Sequence, residues 1–299
     1  MTVSVVIAAY NASSYIPAAV ESILNQTLTD LECIVIDDGS IDQTLEVLAD
    51  NTDPRLRTFQ LPVNCGIAAA TNLGIRLAKG EYIAVMDADD IAMPERLQLQ
   101  VDFLQRETFV HFVGGAALRV ADDGTTLLNP IKLAATDAAI KAQMMLVNGS
   151  ALLNPTTMGR ADFIRQNGLY YPPLRRGQEQ GMWAAAVRCG ANFANLNEVL
   201  LRKRRHKSNV TNQFSATDAK LSFELRQRLV AMYYPTLTHL DISMIARMLS
   251  NRTKVSTALY ESTARAVALA QTVTKSFYGE SKPRANLKLQ RYLERLERS

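Results

Sequence analysis

Cysteine is scarce in this chain. Cys33, Cys65 and Cys189 are odd in number, widely spaced and form no CxxC pair, which fits small buried hydrophobes in a reducing compartment. No window reaches the ~18 consecutive apolar residues of a transmembrane helix. The opening MTVSVVIAAYN has neither a basic leader nor a long apolar stretch, so no signal peptide is expected. Those absences together predict a soluble, cytosolic protein. Two phosphate-gripping signatures are missing as well. There is no GxxxxGK[ST] loop and no GxGxxG after the first apolar run, so ATPase and dinucleotide-binding readings lose their main support. Against these absences stand 299 residues with 47% apolar content, enough for a sizeable core in one large domain or two modest ones.

Charge is unevenly placed. Residues 1–200 hold 14 Lys and Arg against 22 Asp and Glu, whereas residues 201–299 hold 19 against 7. A basic final third on an acidic body suits either a surface facing phosphates or a solvated helical face docked on that body.

Apolar patterning gives the first ~110 residues a β-α-β-α-β-α-β order. SVVIAAY (4–10) reads as a buried parallel strand, followed by a helix from Ser13 or Ser14 to Gln26 with Pro17 in its first turn. ECIVIDD (32–38) is the second strand and Ile41–Ala49 a short helix. LRTFQL (56–61), a helix over Gly66–Ala78 and YIAVMDADD (82–90) come next, and Pro94 opens a helix to Arg106. This order predicts an α/β fold with a doubly wound, mostly parallel sheet. Beyond Val110 a hairpin turns at Asp123-Gly124, helices are expected near 136–146, 160–167 and 178–188, and VLLRKRRH (199–206) is a strand. Amphipathic helices follow near 217–233, 240–250, 253–277 and 284–298, with Gly279–Pro283 separating the last two.

Ligands of open α/β sheets bind outside the carboxyl ends of the strands. Here those ends read Ala8-Ala9-Tyr10-Asn11, Asp37-Asp38-Gly39-Ser40 and Asp87-Ala88-Asp89-Asp90. Carboxylates crowded as closely as Asp87, Asp89 and Asp90 repel one another unless a cation or donors compensate. A nucleotide without a glycine cradle also needs its phosphates neutralised. One divalent ion on strand-end carboxylates, Mn²⁺ or Mg²⁺, meets both needs. A solvated acidic turn, and an Asx-type turn at Asp37–Ser40, are the structural alternatives.

These residues resemble the family 2 glycosyltransferases, an inverting group with the GT-A nucleotide-sugar fold. The likeness is carried by residues 4–28, VIDDGSIDQT (35–44), NCGIAAATNLGI (64–75) and residues 79–100, with a weaker echo in 154–170, QEQGMWAAAVRCG (178–190) and LLRKRRHKSNVT (200–211). It implies a GT-A domain over residues 1–211, divided into a nucleotide-binding half (1–110) and an acceptor half (111–211). A basic α-helical extension over 212–299 lies outside it. By the resemblance, Asp38 contacts the nucleobase with Tyr10 stacking beside it and the Ala8–Ala9 backbone nearby. Asp87 borders the ribose, Ala88 is a further nucleotide-binding position, Asp89 holds the metal with His206, and Arg204 and Arg205 face the diphosphate. Asp90 caps or braces the loop. The family's Glu-Asp pair before a Trp is replaced here by Gln178-Glu179, with Trp183 downstream. Glu179 is then the expected base and Trp183 a wall of the acceptor pocket. Thr71 stands where many relatives carry Arg.

The expected activity is transfer of a sugar, with inversion, from a nucleoside diphosphate donor (UDP) to a saccharide or lipid-linked acceptor, in bacterial surface polysaccharide synthesis such as lipopolysaccharide. A nucleotidyltransferase needs Gly and Lys or Arg after the first strand, and AAYNASSYI has none. A catalytically weak or inactive scaffold acting through its basic tail is the remaining alternative, favoured by Gln178-Glu179. For the tail, docking on an anionic membrane surface is the preferred use, which places the protein at the inner face of the membrane. Homo-oligomerisation through the amphipathic helices is left open. Nucleic acid is not an expected partner, because the tail's aromatics do not interleave with its charges.

Overall fold

The computed structural model describes residues 1–131, 133–146, 151–174, 177–206, 216–250, 257–272 and 282–298. Four strands begin it: β1 (Val3–Ala9), β2 (Leu31–Asp37), β3 (Leu56–Gln60) and β4 (Tyr82–Asp87). Their β-branched runs are buried along nearly their whole length in β1, β2 and β4, as strands covered on both faces must be. They pair in parallel in the order β3-β2-β1-β4. The register sets Ala9 beside Asp37 and Ala8 beside Asp87. Three strand ends therefore finish level, at the point where the strand order reverses.

The intervening helices are α1 (Ile16–Leu24), α2 (Ile67–Leu77) and α3 (Arg96–Arg106). Pro17 occupies the first turn of α1, where its missing N–H costs nothing. In α2, Gly74 lies against β1 so closely that a Cβ there would meet Val6 Cγ1 at 2.3 Å. The helix expected over Ile41–Ala49 is a correction: only a 3-10 turn at Glu46–Leu48 forms. The Asp42 carboxylate accepts the N–H groups of Ser13 and Thr44, and Thr44 Oγ1 accepts that of Ala12. Side chains so engaged compete with a helical ladder and tie the segment to the exit of β1.

A two-residue strand β5 (Ile91–Ala92) leads into the second part of the sheet: β6 (Phe112–Val120), β7 (Leu127–Ile131), β8 (Met158–Arg160) and β9 (Phe193–Arg204). β8 joins the halves by pairing antiparallel with both β4 and β6. β9 runs parallel to β6 and antiparallel to β5. The β6–β7 hairpin turns through Gly124 at φ +73°, the left-handed region that glycine favours. Helices α5 (Ala161–Gln166) and α6 (Gln178–Arg188) complete this unit, which comprises Met1–Ala135 and Leu152–Gln213.

A second unit consists of Thr136–Ala151 and Phe214–Ser299. Its helices are α4 (Asp137–Met144), α7 (Ala216–Tyr233), α8 (His239–Ser250), α9 (Thr257–Thr272) and α10 (Lys282–Glu297). Leu229, Tyr233, Tyr234, Ile245, Val267 and Leu289 form its buried interior. Arg226 donates to the Leu146 carbonyl at 2.7 Å, and Tyr234 donates to Asn286 Oδ1 at 2.8 Å. No helix among the described residues is long and apolar enough to cross a membrane. The expected boundary at residues 211 and 212, and Gly279–Ser281 of the expected break, lie outside the described residues.

Candidate active site

The site is built at the carboxyl edge of β1, β2 and β4. After β1 the chain turns through Asn11, held at φ +50°, whose Oδ1 accepts the Ile41 N–H while its own N–H donates to Ser40 Oγ. That turn leaves Tyr10 47% exposed, with its ring available for stacking. After β2, Asp37 accepts the N–H of Ser40 and the Gln60 amide, at 3.2 Å each. Gly39 (φ +68°) carries no Cβ, which would strike the Val63 carbonyl carbon at 2.5 Å. Asp38 is buried, and its two oxygens accept the Cys65 N–H at 2.7 Å and the Gly66 N–H at 2.8 Å, fixing the entry to α2. Burial raises its carboxyl pKa despite these two donors.

After β4, Asp87, Asp89 and Asp90 place one carboxylate oxygen each within 4.8 Å of one another. The end of β9 meets them, because β5 pairs Ile91 with Arg202 and Ala92 with Leu201. Lys203 Nζ lies 2.9 Å from Asp87 Oδ2 and 3.3 Å from Asp90 Oδ2. The Arg204 N–H donates to Asp90 Oδ1 at 2.9 Å, so the fully buried Asp90 has a donor on each oxygen. His206 Nε2 is 2.7 Å from Asp89 Oδ2. The His206 ring stacks on Tyr15 at 4.7 Å, and Tyr15 donates its hydroxyl to Asp122 Oδ1 at 2.9 Å. Burial by itself would lower the Lys203 pKa, but Asp87 and Asp90 outweigh it and hold the ammonium charged. Burial pushes the Asp90 carboxyl upward against the pull of Lys203.

Two arginines expected at a diphosphate are placed differently from each other. Arg204 is a correction: its Nε donates to the Asp89 carbonyl at 3.0 Å, its guanidinium covers the Tyr15 ring at 5.2 Å and it also donates to the Asp122 carbonyl. It braces the acidic turn. Arg205 keeps an exposed side chain, with its N–H on the Val120 carbonyl. Lys203 was missed in the sequence, hidden in a run of four basic residues. In a strand, neighbours point to opposite faces, so only part of such a run can reach one site.

A small cleft beside Asp87 is lined by Ala8, Ile67, Thr71, Met86, Asn154, Tyr171 and Gln178. Ala88 is buried and packs with the core. Tyr171 donates to Asn154 Oδ1 at 2.8 Å, and Asn72 clamps its backbone through both amide atoms. Gln178 Oε1 is buried without a hydrogen-bond partner among the described residues. Glu179 sits half-buried in the first turn of α6. Burial first, then the charges of Glu179 and Asp87, raise the Tyr171 pKa, so this phenol feels both carboxylates. Trp183 is a second correction. It is 1% exposed and packs edge-on against Phe112 at 5.3 Å and Phe193 at 6.3 Å, as core and not as a pocket wall. Four residues beyond Glu179 on α6, it lies one turn deeper, on the sheet side.

The donor set suits a hard divalent ion. Carboxylate oxygens of Asp87 and Asp89 and one imidazole nitrogen are ligands that Mn²⁺ accepts, and Mg²⁺ would use the oxygens. Asp90, with both oxygens engaged, braces the turn.

The family model for glycosyl transferase family 2 matches residues 4–200. The chain belongs to family 2 of the glycosyltransferases, and it is a glycosyltransferase. It is 29% identical over 257 residues to an uncharacterized glycosyltransferase of Haemophilus influenzae, covering 81% of this chain and 77% of that protein. It is 29% identical over 231 residues to the putative teichuronic acid biosynthesis glycosyltransferase TuaG of Bacillus subtilis, covering 75% and 87%. A 129-residue stretch is 40% identical to the chondroitin synthase of Escherichia coli, covering 42% of this chain and only 19% of that protein. Residues 1–349 of S. aureus TarS, crystallised with UDP-GlcNAc, superpose with a TM-score of 0.66 at 18% identity, over 99% of this chain and 91% of that one. The family 2 chain thus has the GT-A fold, with helices following it.

Proposed function

We propose that this glycosyltransferase moves a sugar from a UDP-linked donor to a saccharide or lipid-linked saccharide acceptor, with inversion, in a divalent-metal-dependent reaction of bacterial surface polysaccharide synthesis. The observation that carries the reading is the convergence, at one sheet edge, of Asp38, Asp87 and Asp89 with His206 at 2.7 Å from Asp89. The names of TuaG and of the chondroitin synthase support the polysaccharide context, and the UDP-GlcNAc on TarS supports the donor class.

Tyr10 stacks on the base, and Asp38 offers it the lone pairs not used by Cys65 and Gly66. Asp87 borders the ribose and lends the ion an oxygen, while Asp89 and His206 hold it. When bound, that ion neutralises charge developing on the leaving diphosphate. The acceptor oxygen bonds to the anomeric carbon as the bond to the diphosphate breaks, and the diphosphate leaves with the electron pair. Glu179 takes the acceptor's proton. The exposed Arg205 reaches for the diphosphate. The basic final third, 19 Lys and Arg against 7 Asp and Glu, rests on anionic lipid at the inner face of the membrane. The test is calorimetric titration of UDP with and without Mn²⁺, on wild type and Asp89→Ala, with transfer measured for Glu179→Gln. Metal-dependent UDP binding lost in Asp89→Ala, and transfer reduced by at least ~10²-fold in a Glu179→Gln protein that still binds UDP, is the expected result. Wild-type protein silent to UDP, GDP and other nucleotides would sink it in favour of a scaffold, a reading that Gln178-Glu179 keeps alive.

A further inference from the structure

Three carboxylates share one turn, yet the turn already contains a cation of its own. Lys203 reaches from β9 to Asp87 at 2.9 Å and to Asp90 at 3.3 Å, and its side chain is only 26% exposed. The amine cannot drift into solvent without leaving the fully buried Asp90 short of its charged partner. On the other side, His206 occupies the Asp89 oxygen. One oxygen each of Asp87 and Asp89, and both oxygens of Asp90, are thus engaged by groups from one four-residue stretch.

We propose that Lys203 is the resident counter-cation of this cluster and that an entering divalent ion competes with it for Asp87. The consequence is low metal affinity in the protein alone, since an ammonium a few ångströms from a dication repels it strongly at protein-like screening. The diphosphate, adding negative charge, offsets that repulsion, so metal and nucleotide enter together. Lys203 remains on Asp90 throughout and acts as a positioning residue for the acidic turn. This inference rests on the metal-dependent reading of the site given above.

The test reads Mn²⁺ binding directly, from the loss of the free-ion signal in electron paramagnetic resonance, without nucleotide or turnover. Wild type, Lys203→Met and Lys203→Arg are compared. Lys203→Met should bind Mn²⁺ about tenfold or more tightly than wild type, and Lys203→Arg, which keeps the charge, should stay near wild type. UDP should then tighten Mn²⁺ binding less in Lys203→Met than in wild type. Should Lys203→Met fail to fold around an unpaired Asp90, the Lys203→Met/Asp90→Asn protein is compared with Asp90→Asn, and the same tightening is expected. Equal Mn²⁺ affinity with and without the lysine overturns the competition and leaves the metal site standing. Mn²⁺ bound by none of these proteins, with or without UDP, overturns both.

Discussion

Asp38→Asn separates a loop-holding carboxylate from one that only reads a base. Asp38 is 3% exposed and accepts one N–H on each oxygen, from Cys65 at 2.7 Å and Gly66 at 2.8 Å. Asparagine keeps one acceptor and turns an NH₂ toward the other N–H. One charge-assisted bond is lost and the second becomes neutral, which costs roughly 2–4 kcal/mol for a buried pair of donors. Part of that is returned, because burial already disfavours the charged carboxyl and raises its pKa. The net expectation is a loss of about 2 kcal/mol. For a domain of this size that lowers Tm by about 4–8 °C in scanning calorimetry. Nucleotide binding should weaken in parallel, since the Cys65 and Gly66 N–H groups held by Asp38 lead into α2, and the Val63–Asn64 backbone just before them packs against Gly39. A variant melting within about 1 °C of wild type while UDP binding disappears would refute the structural argument and make Asp38 a ligand contact alone.

Two further expectations concern the sheet itself. Glu32 is buried, yet hydrogen bonds from Ser4, Arg57 and the Lys79 N–H overcome burial and hold its carboxyl below its ordinary 4.5. Its stabilisation is therefore complete above that value and is lost as pH falls through the lower, folded value, so urea midpoints of wild type and Glu32→Gln should converge in acid; parallel midpoint-against-pH curves would reject this. Gly74→Ala places a Cβ 2.3 Å from Val6 Cγ1 and should cost ~1–3 kcal/mol despite alanine's better helix propensity. A Val6→Ala companion should recover part of that loss, and strictly additive costs in urea denaturation would show that the contact is not the cause.

The strands were legible because parallel strands buried on both faces must be continuous apolar runs, and 5–10, 33–36 and 82–86 are such runs. The helix expected at 41–49 failed for a local reason: Asp42 and Thr44 spend their side chains on the backbone of the neighbouring turn. Residue type alone does not reveal which partner such a side chain will choose. The grouping of α4 with the C-terminal helices, through contacts such as Arg226 on Leu146, depends on packing between segments some 80 residues apart. Periodicity carries no such information.

The site was legible in its carboxylates and not in its cations, and the asymmetry has a physical origin. Acidic residues at strand ends are fixed by a topology that the sequence does announce, since each stands within four positions after an apolar run. The cations sit on β9, whose facing is decided by two partners at once, β5 on one edge and β6 on the other. In RKRRH, the β9 pairing sets Lys203 against Asp87 and Asp90 while Arg204 turns to Tyr15 and the Asp89 carbonyl. Trp183 was misread for a related reason. An aromatic near an expected base invites a pocket, but on α6 a spacing of four returns to nearly the same face one turn on, and here that turn meets Phe112 and Phe193. Lys203 also explains why three carboxylates can crowd one turn in a folded chain without an ion. The ammonium between Asp87 and Asp90 and the hydrogen bond from His206 to Asp89 offset part of the repulsion, while burial and then the charges of Asp87 and Asp89 still push the Asp90 carboxyl upward.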